Sequence, residues 1–301
     1  MTTNPTGDQY EITFQEQRAV ITEVGATLRV YSVDGRDVVS GFAEDEVVHG
    51  GRGMQLLPWP NRIRDGVYTF NGVEQQLALT EPKRHNAIHG LVRHVVWDLM
   101  DFTGDSVTQR VRVYPQPGWP STLEASITHT LSSDGLEVKV SATNIGSEPV
   151  PFGYAAHPYF TVGEDVVDDI VLQLPAKSYL EVDDRLLPVE IKRVKGTEQD
   201  FRKPHPLGSV GLDTAFTDLI RDDDGRARVK LSLGDRYAEM WCDETMGWLQ
   251  VFTGDDRRDI NLAVEPMTCG PDAFNAGPTD ADVVVLAPGA SFTGRWGVVG
   301  R

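Results

Sequence analysis

The sequence predicts an all-β chain, mostly antiparallel, on three observations. Apolar and polar residues alternate with period two in nearly every candidate segment, turn residues separate those segments, and no long amphipathic stretch reads as a helix. The 301 residues include 29 Gly and 18 Pro, more turn formers than a typical chain carries.

Candidate strands begin with residues 10–14, 19–24 and 27–32, followed by 67–70, 76–79, 95–100 and 107–114. The clearest pair comes next. Leu123, Ala125, Ile127, His129 and Leu131 alternate with polar residues, and the pattern resumes after Asp134-Gly135 with Leu136, Val138, Val140 and Ala142. This is a hairpin with one buried face, and the Asp-Gly pair supplies the positive φ of a tight turn. Further candidates are 169–174, 228–233, 237–242, 248–253, 261–265 and 282–286, while 213–219 fits at most a short helical turn. Many short strands with turns between them favour a sandwich over βαβ units. No linker, fixed-period repeat or low-complexity segment divides the chain, so residues 1–301 are expected to form one domain.

Composition narrows the function. With 40% hydrophobic residues the chain can bury roughly 75% of its unfolded surface, which excludes general disorder. Forty-five acids against 28 Lys plus Arg leave a net charge of -17. That balance repels nucleic-acid backbone and anionic membranes, so neither is an expected partner. The runs Glu44-Asp45-Glu46 and Asp222-Asp223-Asp224 read as solvated loops. Cys242 and Cys269 make neither a disulfide framework nor a soft-metal site. The first residues lack a basic-then-apolar leader, and no apolar run is long enough to span a membrane. A cytoplasmic location is the expectation; oligomeric state is not written in any pattern.

Four segments depart from simple alternation. In 56–72, prolines flank Trp59 and stiffen the backbone before Asn61 and Arg62, an amide and a guanidinium suited to sugar hydroxyls or to a solvated turn. In 81–97, His85, His89 and His94 accompany Lys83, Arg84 and Arg93. His85 and His89 lack the helix that a zinc pair at this spacing needs, so no metal is expected. His89 fits a polar group on a pocket wall. In 146–160, Pro158 biases His157 toward extended backbone beside Tyr154, Tyr159 and Phe160. In 261–275, the run Leu262-Ala263-Val264 leads to Glu265, which Pro266 holds extended; such a carboxylate either faces water at a strand end or is buried and catalytic. A histidine and a glutamate, each followed by proline, suit a separated acid–base pair.

The chain resembles the aldose 1-epimerase (galactose mutarotase) family from about residue 15 to residue 299. The likeness rests on PNRIRDGVYTFNG at 60–72, NAIHG at 86–90, GYAAHPYF at 153–160, GLDTAF at 211–216 and VEPMTCGPDAFN at 264–275, in the family's order. It implies a galactose-mutarotase-like β-supersandwich that interconverts the α and β anomers of free aldoses without a cofactor. By this resemblance Glu265 is the general base and His157 the general acid. His89 helps polarise the substrate near the ring oxygen, while Arg62, Asp213 and Asn61 contact hydroxyls. For such a cycle Glu265 starts ionised and His157 protonated, on different sides of the C1–O5 unit.

HGLVR at 89–93 departs from this pattern and resembles the hexose-6-phosphate 1-epimerase branch, in which an arginine near Arg93 helps bind phosphate. Lys83, Arg84 and Arg93 together could grip such a group. A monosaccharide, free in preference to phosphorylated, is therefore the expected ligand. A carbohydrate-binding protein without catalysis is the competing class, which does not require the Glu265–His157 pair.

Overall fold

The long hairpin forms as its alternation requires. Leu123–Ser132 and Gly135–Asn144 pair antiparallel with Ser132 opposite Gly135. Leu123, Ala125, Ile127, His129 and Leu131 are buried, and the residues between them are half-exposed. Gly135 takes φ +98°, and a Cβ there would sit 2.3 Å from the Val298 carbonyl oxygen, so glycine is needed on both counts.

The structure is a computed structural model that describes residues 4–163, 167–254 and 261–301. The hairpin lies within a nine-stranded antiparallel sheet. Its order is Asp98–Phe102, Ser106–Val113, Leu123–Ser132, Gly135–Asn144, Ser291–Gly300, Arg236–Cys242, Ala227–Leu233, Val171–Gln173 and His205–Pro206. An eight-stranded sheet runs Pro188–Arg193, Ala176–Val182, Asp213–Leu219, Trp248–Phe252, Leu262–Met267, Ala155–Ala156 and Gln55–Leu56, with Tyr159–Phe160 also paired to Leu262–Met267. A four-stranded sheet gathers Gln9–Phe14, Gln17–Thr22, Leu28–Val33 and Arg36–Asp37.

One apolar core joins the two large sheets. Ile127, Val138, Val140 and Trp296 enter it from the nine-stranded sheet, and Phe216, Leu249, Val251, Leu262 and Val264 from the eight-stranded one. Each such side chain contributes about 1.5–3 kcal/mol by leaving water. Because strand side chains alternate, the residues between these (Ala215, Gln250, Ala263 and Glu265) stand on the opposite face. That opposite face carries the site. A buried relay crosses the core: Trp296 Nε1 donates to Tyr154 OH at 3.0 Å, and Tyr154 OH donates to Gln55 Oε1 at 2.7 Å. It ties the far sheet to strands beside the site.

His129 is fully buried in the hairpin, and neither ring nitrogen has a partner among the described residues. Burial pushes its pKa down from 6.5 to about 3. The folded protein thus refuses a proton that the unfolded chain accepts, so stability falls as pH drops from 6.5 toward 3. His129→Leu is expected to recover about 3 kcal/mol of this loss near pH 4, read from urea melts at pH 7 and pH 4. Equal acid sensitivity in both proteins would contradict the assignment.

The expected helical turn at 213–219 is instead the strand Asp213–Leu219, held between Ala176–Val182 and Trp248–Phe252. Pairing on both sides overrides the weak local pattern. His205 lies in the short strand His205–Pro206, its ring stacked on Phe201 at 4.6 Å. The candidates at 76–79 and 95–100 shift to Val73–Gln76 and Asp98–Phe102. Ala176–Val182, Pro188–Arg193 and Ser291–Gly300 were not anticipated. Helical structure among the described residues is confined to the 3-10 turns Val167–Asp169 and Asp280–Asp282, and no helix is long and apolar enough to cross a membrane.

Candidate active site

Strand register brings the first site residues together. Gln250 lies directly opposite Glu265, and Asp213 lies opposite Phe252 on the next strand. Gln250 Nε2 donates to Asp213 Oδ1 at 2.6 Å. Glu265 is 2% exposed and sits inside Leu262–Met267, because the strand continues through Pro266.

His157 comes from the neighbouring segment. Ala155 pairs with Met267 and Tyr159 with Ala263, a register that sets His157 across from Glu265. Its backbone turns away from that partner instead: His157 N donates to Met54 O at 3.0 Å, and Gly53 N donates to His157 O at 2.9 Å. The imidazole is thereby fixed with Nε2 3.2 Å from Glu265 Oε1. Tyr159 stacks on it at 5.1 Å and 19°, while its own hydroxyl donates to Gly50 O. Gly51, at φ +73°, would place a Cβ only 3.3 Å from His157 Cδ2, so glycine lets the loop close over the ring.

The opposite wall is built on two left-handed residues. Asn61 (φ 51°) and His89 (φ 63°) belong to types that tolerate this region, and His89 N donates to Asn61 O at 2.8 Å. The His89 ring meets His157 edge-on at 5.4 Å. Arg62 donates through Nε and Nη2 to the two oxygens of Glu81 at 2.9 and 3.0 Å. Arg62 Nη1 also donates to Asn61 Oδ1, and Asn61 Nδ2 to Gln250 Oε1 at 3.4 Å. A polar chain from Glu81 through Arg62, Asn61 and Gln250 to Asp213 therefore forms one side of the hollow. Arg93 reaches the same space, its Nη2 donating to Ile88 O at 3.3 Å.

Glu265, His157, His89, Asn61, Arg62, Asp213 and Arg93 all line one cavity of about 400 Å³, within the usual range for small-molecule sites. Burial shifts its acid–base groups toward their neutral forms. Glu265 is raised well above the ordinary carboxylate range by burial and by the Asp213 charge, against the pull of Arg62. His157 is pushed down to about 3 by burial, with Arg93 adding to the effect. His89 is lowered by burial, then by His157, Arg93 and Arg62. Asp213 is raised by burial, partly offset by Arg62. Glu265 Oε2, His157 Nδ1 and His89 Nδ1 are buried without a hydrogen-bond partner among the described residues, which is uncommon outside sites completed by a ligand.

These facts correct two expectations. The acid and base are in contact, not separated. Nor does burial favour the ionised-glutamate, protonated-histidine pair: it raises the Glu265 pKa and lowers that of His157, against the pull of Arg62 on Glu265. Of the basic trio, Arg84 and Arg93 line the cavity and Lys83 does not. Arg84 is paired to Glu81 at 2.9 Å, and Lys83 is exposed outside the cavity lining. His85 binds Asp65 instead of facing the cavity. Gln250 and Glu81 went unrecognised in the sequence; only the strand register and the fold of 62–86 show what they touch. No cluster of three or more His, Cys, Asp or Glu among the described residues is placed to hold a metal.

Two antiparallel sheets around one core, with a buried carboxyl–imidazole pair in a polar hollow on the face away from that core, define a β-supersandwich. The chain belongs to the aldose 1-epimerase family, whose model matches residues 8–297. It is 31% identical to the uncharacterized protein YihR of Escherichia coli K12 over 287 residues, covering 94% of this chain and 90% of that one. It is 27% identical to the uncharacterized protein YphB of the same organism, covering 79% and 80%. The fold matches a GalM/aldose epimerase homologue from C. elegans with TM-score 0.86 at 19% identity, covering 98% of each chain. It also matches a galactose 1-epimerase from Lactobacillus acidophilus with TM-score 0.80 at 20% identity, covering 100% and 97%.

Proposed function

We propose that the protein interconverts the α and β anomers of an aldose by acid–base ring opening and closure. The observation that carries this reading is the His157–Glu265 contact at 3.2 Å inside a cavity of monosaccharide size. The hydroxyl oxygen and the ring oxygen of a hemiacetal share one carbon, so a touching pair can serve both.

Glu265 and His157 hold one mobile proton between them. Burial, which raises Glu265 and lowers His157, favours its place on Glu265 before substrate binds. A bound sugar donates its C1 hydroxyl to Glu265 and offers its ring oxygen to His157. Both hydrogen bonds favour the charged forms, so the proton moves to the imidazole as substrate settles. The Glu265 carboxylate then takes the C1 hydroxyl proton while His157 protonates the ring oxygen, the C1–O5 bond breaks and the open aldehyde forms. Rotation about C1–C2 presents the other carbonyl face, and the reverse transfers close the ring. His89, neutral at working pH, donates toward the ring oxygen. Asn61, Arg62 and Asp213 hold hydroxyls, and the Glu81 clamp keeps Arg62 in place.

Polarimetry on freshly dissolved α-glucose and α-galactose tests this reading. Faster approach to an unchanged final rotation is expected. A rate equal to the uncatalysed one for every aldose tried would overturn it.

A further inference from the structure

We propose that Arg52 is a positioning residue for His157: its guanidinium closes the loop 41–49 on itself and so clamps Gly50 and Gly51 against the imidazole. The kinetic consequence rests on the mutarotase reading of the cavity; the clamp itself does not.

The segment Gly50-Gly51-Arg52-Gly53 supports His157 at several points. Gly50 O accepts from the hydroxyl of Tyr159, whose ring stacks on the imidazole. Gly51 closes over the ring, and Gly53 N donates to His157 O at 2.9 Å. Gly50, Gly51 and Gly53 all take positive φ and bring no side chain, so Arg52 is the one residue of the four whose side chain can anchor the segment.

That side chain is only 11% exposed, and its donors face the loop. Arg52 Nη1 donates to Gly41 O at 2.9 Å, Nη2 to Glu46 Oε1 at 3.0 Å and Nε to His49 O at a long 3.5 Å. The planar fork thereby joins both ends of the loop to its middle. Among the described residues no other side chain binds both ends: Arg29 reaches Phe42 O, and Glu46 accepts from Ala43 N besides Arg52. A lysine carries the same charge but lacks the fork that spans three acceptors.

Arg52 does not line the cavity, whereas Val48, Gly50 and Gly51 beside it do. It acts through backbone on an imidazole that must carry a proton while keeping its 3.2 Å contact with Glu265. Such geometry is sensitive to distant changes, since a misplacement of about 1 Å can lower a rate by about 10²-fold.

Arg52→Met and Arg52→Lys are to be compared with wild type by anomer-exchange NMR and by the imidazole NMR signals of histidine-labelled protein, with the His157 set assigned by its loss in His157→Asn. Arg52→Met is expected to lower kcat by about 10- to 100-fold and to change KM by less than about two-fold, because Asn61 and Arg62, which hold hydroxyls, stand on the opposite wall. Arg52→Lys is expected to recover little of the loss. Added to His157→Asn, Arg52→Met is expected to lower kcat by less than about two-fold further, since it works through the imidazole. The His157 signals are expected to broaden or split in Arg52→Met. Wild-type kcat in Arg52→Met, or an undiminished loss in the His157→Asn background, would overturn the proposal. If Arg52→Met does not fold, Arg52→Lys, which keeps the buried cation, carries the same comparisons. A wild type that exchanges no aldose would remove the mutarotase reading alone; the His157 signals then decide the clamp, and an unperturbed set in both variants would overturn it.

Discussion

Glu265→Gln is expected to lower kcat by about 10²- to 10⁴-fold while the protein stays folded. The amide has nearly the shape of the carboxylic acid that burial favours in the resting site, so the strand and its pairing to Gln250 should be undisturbed. What it lacks is a proton that can leave. Without it His157 cannot become the acid and nothing accepts the C1 hydroxyl proton. Thermal melting should show Tm no lower than wild type, because a costly buried ionisable group has been replaced by a neutral one. A variant that folds and keeps wild-type kcat would remove Glu265 from the reaction.

His157→Asn is expected to produce a loss of similar size for the complementary reason. The backbone bonds to Met54 and Gly53 do not depend on the side chain, so the local path should persist. An amide cannot carry the proton from Glu265 to the ring oxygen. Since the two groups share one proton across 3.2 Å, they act as a unit, and the double variant should be little worse than either single one. Multiplicative losses in the double variant would mean that they work independently, against the shared-proton account.

The sequence made the pair visible because each member is followed by proline and sits beside apolar or aromatic residues, an unusual setting for a titratable group. It did not reveal that they touch, since that depends on Ala155 and Tyr159 pairing with the same strand as Glu265. Gln250 looks like any residue in a β-strand until register puts it opposite Glu265 and within reach of Asp213. Likewise Lys83, Arg84 and Arg93 are alike as letters. Only the fold shows that Glu81 meets one, that another faces outward and that Arg93 remains unmatched by a carboxylate among the described residues. The misread strand Asp213–Leu219 has the same origin: both its faces are partly covered, so its alternation is blurred and only its two neighbours define it.

Selective-inversion NMR on an equilibrated aldose is the most direct measurement, because it reads passage between anomers at constant composition. The account predicts that catalytic wild-type protein speeds exchange between the two C1 proton signals without altering their intensities, and that Glu265→Gln at the same concentration returns exchange to the protein-free rate. Exchange that stays at the protein-free rate with wild type, for free and 6-phosphorylated aldoses alike, would contradict it.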